Sequence, residues 1–403
     1  MRSILIIADG MADEPIADLG GITPLEAANS SDLDRLANLG RCGSLTTIPN
    51  GLCPGSDVAI LSILGYDTST MKIGRGALEA VGMGIDLQPD DLAIRCNIVS
   101  MNNGCISDYS ANQISDDKAK QIIDILNTEL SDSNIRFYHG YSHQNLLIVK
   151  NGRNDFITTP PQDIIGKRIN DYLPSLRTTA SRDTTNELTN IILKANRLLR
   201  EKLPHSENSD YGIWLWSGGT VPNMMTMRQK FGLNSGCVIS GVNLVTGIGI
   251  LAGLTPLSVD GATGRCDTNY TGKAMKAIEA IEQGYDFVLL HIEACDMASH
   301  MGNVDMKIKA IEDISKHIVN PLIEYSKHSD QPTSIALLPD HHTLCRARTH
   351  TSEMVPFTIW NPTISRDSVT TFNERSAKKG SYGIMHGNDF INTFLAKKDI
   401  FYQ

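Results

Sequence analysis

The sequence predicts a mainly parallel α/β sheet flanked by helices, with an α+β segment inserted into it. Three observations carry this. Short apolar runs with almost no polar interruption, as at MRSILIIADG, read as strands buried on both faces. They alternate with amphipathic stretches of helical period, the rhythm of a parallel sheet with crossover helices. Between about 86 and 235 the texture changes, becoming richer in Asn, Ser, Thr and Asp, as expected of a separate unit.

Residues 3–8 form the first strand. Leu25, Ala28, Leu33, Leu36 and Leu39 recur near helical spacing, and Gly40 ends that segment. A second helix starts after Gly55-Ser56 and carries Val58, Ile60, Leu61 and Leu64 before Gly65. The middle segment holds short strands at 93–99 and 146–149 and helices at 116–126 and 186–203. Beyond it come a helix at 273–283, a strand at 286–292, a long amphipathic helix at 304–326, strands at 334–338 and 355–360, and a closing helix at 383–396. The expected division is a discontinuous core, 1–85 with 236–403, and an inserted domain, 86–235.

At 403 residues, 41% hydrophobic and 20% charged, the chain can bury a sizeable core. A net charge of −9 argues against general affinity for nucleic acid or anionic membrane. No run of eighteen uncharged apolar residues exists, so no membrane span is expected, and the N-terminal apolar run is too short for a signal peptide. Eight cysteines without a CxxC pair point to reduced thiols and a cytoplasmic location.

The chemistry lies in hard and borderline metal ligands set just beyond predicted strands. Asp9 follows the first strand, Asp296 and His300 follow the strand ending at Ile292, and Asp340-His341 follow the strand at 334–338. His350 stands shortly before the strand at 355–360. Functional groups gather at the carboxyl ends of parallel strands, so these residues are expected at one sheet edge. Asp296 and His300, four apart, share a helix face. Taken singly, any of these acids could be a cap or turn residue. Together, carboxylates with imidazoles suffice for two divalent cations, and suit zinc, manganese or iron, with magnesium also tolerated.

Ser56, in Cys53-Pro-Gly-Ser-Asp57, is the candidate nucleophile. It opens a helix, where free amides and the dipole favour a phosphoryl group, although an N-cap is the commonest role of serine there. A metal ion can activate its hydroxyl without a separate base. Gly247-Ile-Gly249-Ile-Leu-Ala-Gly253 is discounted as a dinucleotide loop, because its flanks read as a helix. Ser56 lacks a G-x-S-x-G elbow, and Lys273 is followed by Ala274 rather than by the Ser or Thr of a Walker A loop.

ADGMAD, PGSDVAILSILGYD, GRGALEAVG, RCN at 95–97, DGATGRCDTNYTGK, HIEACDMASHMGN, LPDHHT and HTSEMVPF follow one another along the chain. In that order they resemble the cofactor-independent phosphoglycerate mutases of the archaeal type, within the alkaline phosphatase superfamily, over nearly the full length. The resemblance implies an alkaline phosphatase-like core with a substrate-binding cap. It implies interconversion of 3-phosphoglycerate and 2-phosphoglycerate, small phosphorylated three-carbon acids, through phosphoserine at Ser56 and without bisphosphoglycerate. Asp9, Ser56, Asp340 and His341 would surround one metal ion, and Asp296, His300 and His350 the other. The ions would be manganese, with magnesium, cobalt or zinc as alternatives. His342 would lie outside the ligand set, and His386 would be a helix residue. Arg75, Arg95, Arg153 and Lys273 are the cations expected to hold substrate. A homo-oligomer is left open.

Some positions depart from the family. Cys295 and Ser299 stand where relatives carry Pro and Gly, and Asp108-Tyr-Ser-Ala-Asn112 replaces an Arg-rich segment. Trp214-Leu-Trp216-Ser217-Gly218 lacks an Arg found before the glycines in relatives. The metal motifs are kept while the clamp positions change, a pattern similar to a bacterial branch with a proposed homoserine kinase role. A phosphomonoesterase or another phosphotransferase on the same core is therefore the alternative reading, and a binding protein that has lost catalysis is the remaining one.

Overall fold

The computed structural model describes residues 2–71, 73–177, 182–203 and 210–396. They divide into two compact units, Met1–Met71 with Met224–Gln403, and Lys72–Asn223.

The first stretch carries β1 (Arg2–Ala8), α1 (Pro24–Ala27), α2 (Ser31–Leu39), β2 (Arg41–Thr46) and α3 (Ser56–Ile63). The middle unit carries α4 (Arg75–Gly82), β3 (Leu92–Asn102), β4 (Cys105–Asp108), α5 (Asp116–Leu130), β5 (Ile135–Tyr141), β6 (Gln144–Val149), β7 (Phe156–Ile157), β8 (Ser175–Leu176), α6 (Arg182–Lys202) and β9 (Asp210–Gly219). The chain returns through α7 (Met227–Phe231), β10 (Gly236–Ile239), α8 (Asn243–Leu251), β11 (Thr255–Pro256), α9 (Tyr270–Glu282) and β12 (Phe287–Ile292). Next come α10 (Ala294–His300), α11 (Val304–Ile314), α12 (Asn320–His328), β13 (Thr333–Leu338), β14 (His342–Leu344) and β15 (Thr349–Thr351). The last elements are β16 (Val355–Trp360), α13 (Glu374–Ala377), β17 (Gly383–His386) and α14 (Gly387–Leu395).

In the discontinuous unit an eight-stranded sheet runs β11-β10-β12-β1-β13-β16-β2-β17. All its pairings are parallel except those of β16, which runs against both β13 and β2. β1, β12 and β13 are buried along almost their whole length, which explains their lack of alternation. Ile4, Ile6, Val288, Leu290, Ile335 and Leu337 pack beneath α2, α9, α11 and α12.

Three expectations of single helices are corrected. The segment from Leu25 to Leu39 is two helices, because Ala28 is extended and a new helix starts at Ser31. The long helix near the C-terminus is broken by a π-turn at Ser315–Val319, just ahead of Pro321, whose missing amide suits the first turn of α12. The closing helix begins only at Gly387. Residues 383–386 instead form β17, parallel to β2, so His386 ends a strand and lies exposed.

The middle unit is a five-stranded antiparallel sheet, in which β3 pairs with β4, β6 and β9, and β5 pairs with β6. Helix α4 packs on it closely. Gly76 lies against the backbone of Ala93, where a Cβ would come within 2.3 Å of the Ala93 carbonyl oxygen. Ala77 and Ala80 meet Ala93, Leu146 and Ile148. The unit therefore begins near 72 rather than at 86, and 72–85 goes with it. Gly247 and Gly249 lie inside α8, in keeping with the helical reading of that stretch.

Candidate metal centre

Strand register brings the first ligands together. In the parallel pairings Ala8 lies opposite Ile292, and Ile7 opposite Leu338. Continued past the strand ends, those registers set Asp9 level with Glu293 and with Asp340. β16 runs the other way, so the hairpin that precedes it enters at the same edge. In that hairpin Thr343 of β14 lies opposite His350 of β15. Directly opposed residues project to one face, which turns both toward Asp296. Asp296 and His300 stand on α10, four residues apart.

Asp9 and Asp340 each have one oxygen anchored. Asp9 Oδ2 lies 3.0 Å from His291 Nε2. Asp340 Oδ1 accepts the Gly10 and His341 amides at 3.1 and 2.9 Å. The other oxygens, Asp9 Oδ1 and Asp340 Oδ2, are buried with no hydrogen-bond partner among the described residues. They lie 3.7 and 3.2 Å from His341 Nε2, which is also 3.2 Å from Ser56 Oγ. Two carboxylate oxygens, an imidazole nitrogen and a hydroxyl thus converge.

The second set is as compact. Asp296 Oδ2 is 3.3 Å from His300 Nε2, Asp296 Oδ1 is 3.2 Å from His350 Nε2, and the two imidazole nitrogens are 2.8 Å apart. Each ring has its other nitrogen near a carbonyl: His300 Nδ1 lies 3.0 Å from Arg348 O, and His350 Nδ1 lies 3.4 Å from Pro54 O. A carbonyl can only accept, so Nδ1 carries the hydrogen and the Nε2 lone pairs face inward. Asp9, Asp296 and His341 form a further compact group, so the two sets adjoin.

The electrostatics fit a cationic occupant. Burial, then the charges of Asp340, Glu293 and Asp296, push the Asp9 carboxyl well above its ordinary range. Burial also raises Asp340. Burial alone would raise Asp296 too, but His300 and His350 outweigh it and hold that carboxyl well below the usual value. For His300 burial acts downward, yet Asp296 prevails and lifts the imidazole to about 9. Buried like charges with convergent donor atoms are what divalent cations relieve, and a mixed nitrogen and oxygen set suits a borderline ion.

Ser56 is buried as the first residue of α3. The N-cap position is taken by Gly55, and the Ser56 hydroxyl lies 3.2 Å from His341 Nε2, so capping is not its role here. Gly10 is needed for the approach of two segments. Its φ is +64°, and a Cβ there would come within 2.6 Å of both Asp296 Cα and Thr343 Oγ1.

Other expected residues lie elsewhere. Lys273 is fully buried and donates to the His291 carbonyl at 3.1 Å, so its ammonium braces β12 rather than facing solvent, and burial pushes it down to about 8. Arg95 belongs to the middle unit, where its Nε is 3.2 Å from Glu79 Oε2 and its Cζ is 4.6 Å from the Trp216 ring centroid. Arg75 is half-buried at the start of α4, and Arg153 is exposed. His342 is buried, with Nε2 3.2 Å from Met354 O. Both departures beside the ligands are absorbed locally: Cys295 sits in the core, and Ser299 donates to the Cys295 carbonyl at 2.8 Å. In the middle unit Asp108 Oδ1 closes a turn by accepting from the Ser110 and Asn112 amides.

Sequence reasoning missed His291 and Glu293, which with Asp9 form a third compact group. Burial, then Lys273, pushes His291 down to about 3, so its ring is neutral. It also missed Lys307, fully buried, which reaches Ala12 O, Asp13 Oδ2 and Thr343 O at 3.0, 2.9 and 2.8 Å. The position of Glu293 just past a strand end was the available signal for it, whereas His291 lies inside the buried strand. Lys307 left none, because a lysine in an amphipathic helix reads as solvated.

Comparisons with known proteins bear on the family and the fold. The family described as 2,3-bisphosphoglycerate-independent phosphoglycerate mutase matches residues 37–203. A protein of that name from Methanosarcina mazei is 42% identical, over 98% of this chain and 100% of its own. A probable one from Geobacter sulfurreducens is 38% identical over 98% and 100%. A solved protein from Pyrococcus horikoshii superposes with a TM-score of 0.81 at 27% identity, covering 100% of this chain and 99% of its own. The cofactor-independent phosphoglycerate mutase of Thermoplasma acidophilum gives 0.64 at 25%, covering 98% of each. With near-complete coverage and identity well above 30% in the curated relatives, the chain belongs to the 2,3-bisphosphoglycerate-independent phosphoglycerate mutase family.

Proposed function

We propose that this isomerase interconverts 3-phosphoglycerate and 2-phosphoglycerate through a phosphoserine on Ser56, at a centre that holds two divalent cations. The observation that carries the reading is the meeting of Ser56 Oγ with His341 Nε2 at 3.2 Å, beside Asp9 Oδ1 and Asp340 Oδ2. Asp9, Ser56, Asp340 and His341 would hold one ion, and Asp296, His300 and His350 the other. The donor chemistry favours Mn²⁺, with Mg²⁺, Co²⁺ or Zn²⁺ as substitutes.

Ser56 Oγ forms a bond to phosphorus as the bond from phosphorus to one glycerate oxygen breaks, and the serine hydroxyl proton ends on that departing oxygen. The second half runs in reverse: the neighbouring glycerate hydroxyl takes the phosphoryl group and gives its proton back to Ser56 Oγ, so no proton is gained or lost overall. The burial of Ser56 limits competition from water. The start of α3 turns amide donors toward phosphoryl oxygens. Bound divalent cations supply Lewis-acid stabilisation of the phosphoryl charge and lower the hydroxyl pKa. Asp9 and Asp340 stay oriented because each has one oxygen held by protein donors. Recognition of the glycerate is assigned to unit 72–223. Within it Arg95 also holds α4 to the sheet through Glu79, and Arg75, Arg95 and Arg153 are the clamp candidates.

No helix among the described residues is long and apolar enough to cross a membrane. We place the enzyme in the cytoplasm on the reduced state expected of its cysteines.

Phosphorus NMR on 3-phosphoglycerate with Mn²⁺ and no added bisphosphoglycerate tests the reading. Growth of the 2-phosphoglycerate resonance to a fixed ratio is expected. Free phosphate as the only product would replace it with a phosphatase.

A further inference from the structure

We propose that Thr343 is a positioning residue that couples the two cation sites through a single hydroxyl, an inference that rests on the two-cation reading above. Thr343 is fully buried. Its Oγ1 lies 2.7 Å from Asp296 Oδ1 and 3.1 Å from His341 Nδ1. Asp296 belongs to one ligand set and His341 to the other.

The donor directions follow from what each group can do. An ionised carboxylate only accepts, so the Thr343 hydroxyl hydrogen goes to Asp296 Oδ1. The Oγ1 lone pair then faces His341 Nδ1 and requires a hydrogen there. That fixes the His341 tautomer, leaving the Nε2 lone pair toward Asp9, Asp340 and Ser56. Thr343 therefore steers an imidazole of one site and a carboxylate of the other. His300 and His350 instead have their Nδ1 atoms beside main-chain carbonyls, those of Arg348 and Pro54.

The hydroxyl is placed by the backbone on both sides. The Thr343 amide donates to Ala12 O at 3.1 Å, and the Thr343 carbonyl accepts from Lys307 Nζ at 2.8 Å. Ala12 lies three residues beyond Asp9, so the frame that seats Thr343 is also tied to the Asp9 loop. The closeness of Gly10 to Oγ1 fills the remaining side.

The test is equilibrium titration of metal-stripped protein with Mn²⁺ by calorimetry, for wild type, Thr343→Ser and Thr343→Val. Wild type should bind two ions. Thr343→Val, close in shape but without the hydroxyl, should weaken both by about 10- to 100-fold, the usual effect of losing a partner of a ligand. Thr343→Ser should restore both to within about threefold. Nitrogen-15 NMR of the stripped protein should show His341 protonated at Nδ1 in wild type and in Thr343→Ser, and a mixed tautomer in Thr343→Val. A purely structural role would not change the tautomer. Should Thr343→Val fail to fold, Thr343→Ala carries the same comparison. Unchanged affinities, or a loss confined to one ion, would overturn the coupling while leaving the two-cation reading intact. A wild type that binds fewer than two ions would remove both.

Discussion

His300 and His350 meet nitrogen to nitrogen at 2.8 Å, with ring planes inclined by 69°, although fifty residues separate them in sequence. Both Nδ1 atoms face carbonyl oxygens, so both Nε2 lone pairs point into the same small volume. Such an arrangement is stable only around something electropositive, a proton or a cation.

The two compete, and this fixes a pH dependence. His300 is held up to about 9 by Asp296, against the effect of burial, so below that pH a proton must leave before this nitrogen can ligate. Affinity for Mn²⁺ at the Asp296–His300–His350 site should rise by up to about tenfold per pH unit and level off above about 9. In chelated protein the sign reverses. The His300–Asp296 pair stabilises fully below the ordinary imidazole value of 6.5, and that contribution is lost as pH rises through about 9. Calorimetric titrations and urea melts across this range check both.

Ser56→Ala should lower turnover by about 10³-fold or more while leaving the fold in place. Ser56 is the first helical residue and Gly55 the N-cap, so no capping side chain is lost and the stability cost should stay below about 1 kcal/mol. Turnover assays with denaturant melts separate the two effects. Mass spectrometry of acid-quenched wild type should find phosphate on the peptide containing Ser56, and turnover by Ser56→Ala close to wild type would exclude the covalent route.

Chelation should silence the enzyme, and Mn²⁺ should restore it. At an ion concentration of about 100 times Kd, each bound ion adds about 2.7 kcal/mol to stability. The melting temperature should therefore climb with added Mn²⁺ and fall on chelation. A melting curve indifferent to both would contradict binding.

Lys307→Met should cost about 3–5 kcal/mol, measured by urea unfolding at fixed metal concentration. It strands the buried Asp13 carboxylate and two carbonyls that Lys307 now satisfies. Lys307→Met combined with Asp13→Leu should recover part of that loss, since the stranded charge goes too.

The strand ends were legible because a parallel sheet writes itself into sequence as apolar runs closed by polar residues. Asp9, Asp340-His341 and the i, i+4 pair at 296 and 300 follow from that pattern and from helix geometry. His291 escaped because it lies inside the buried run FVLLHI, where burial rather than ligation explains any residue equally well. Thr343 escaped because a hydroxyl's role depends on which lone pair meets which neighbour, and no spacing rule encodes that. β17 was hidden by its continuity with α14, since Ile384 and Met385 suit either period and only pairing with β2 decides. The buried state of Lys273 and Lys307 depends on carbonyls from distant segments, and their own helices gave no sign of it.

The crowding at Gly10 limits how the centre could change. With no room for even one methyl group between the loop after β1 and α10, neither segment can shift against the other to resize the cavity. Adapting the enzyme to a cation of different radius would therefore have to proceed by exchanging donor atoms on a fixed scaffold. Substitutions at the ligand positions should thus alter ion preference, whereas grafting longer loops should only unfold the edge that bears them.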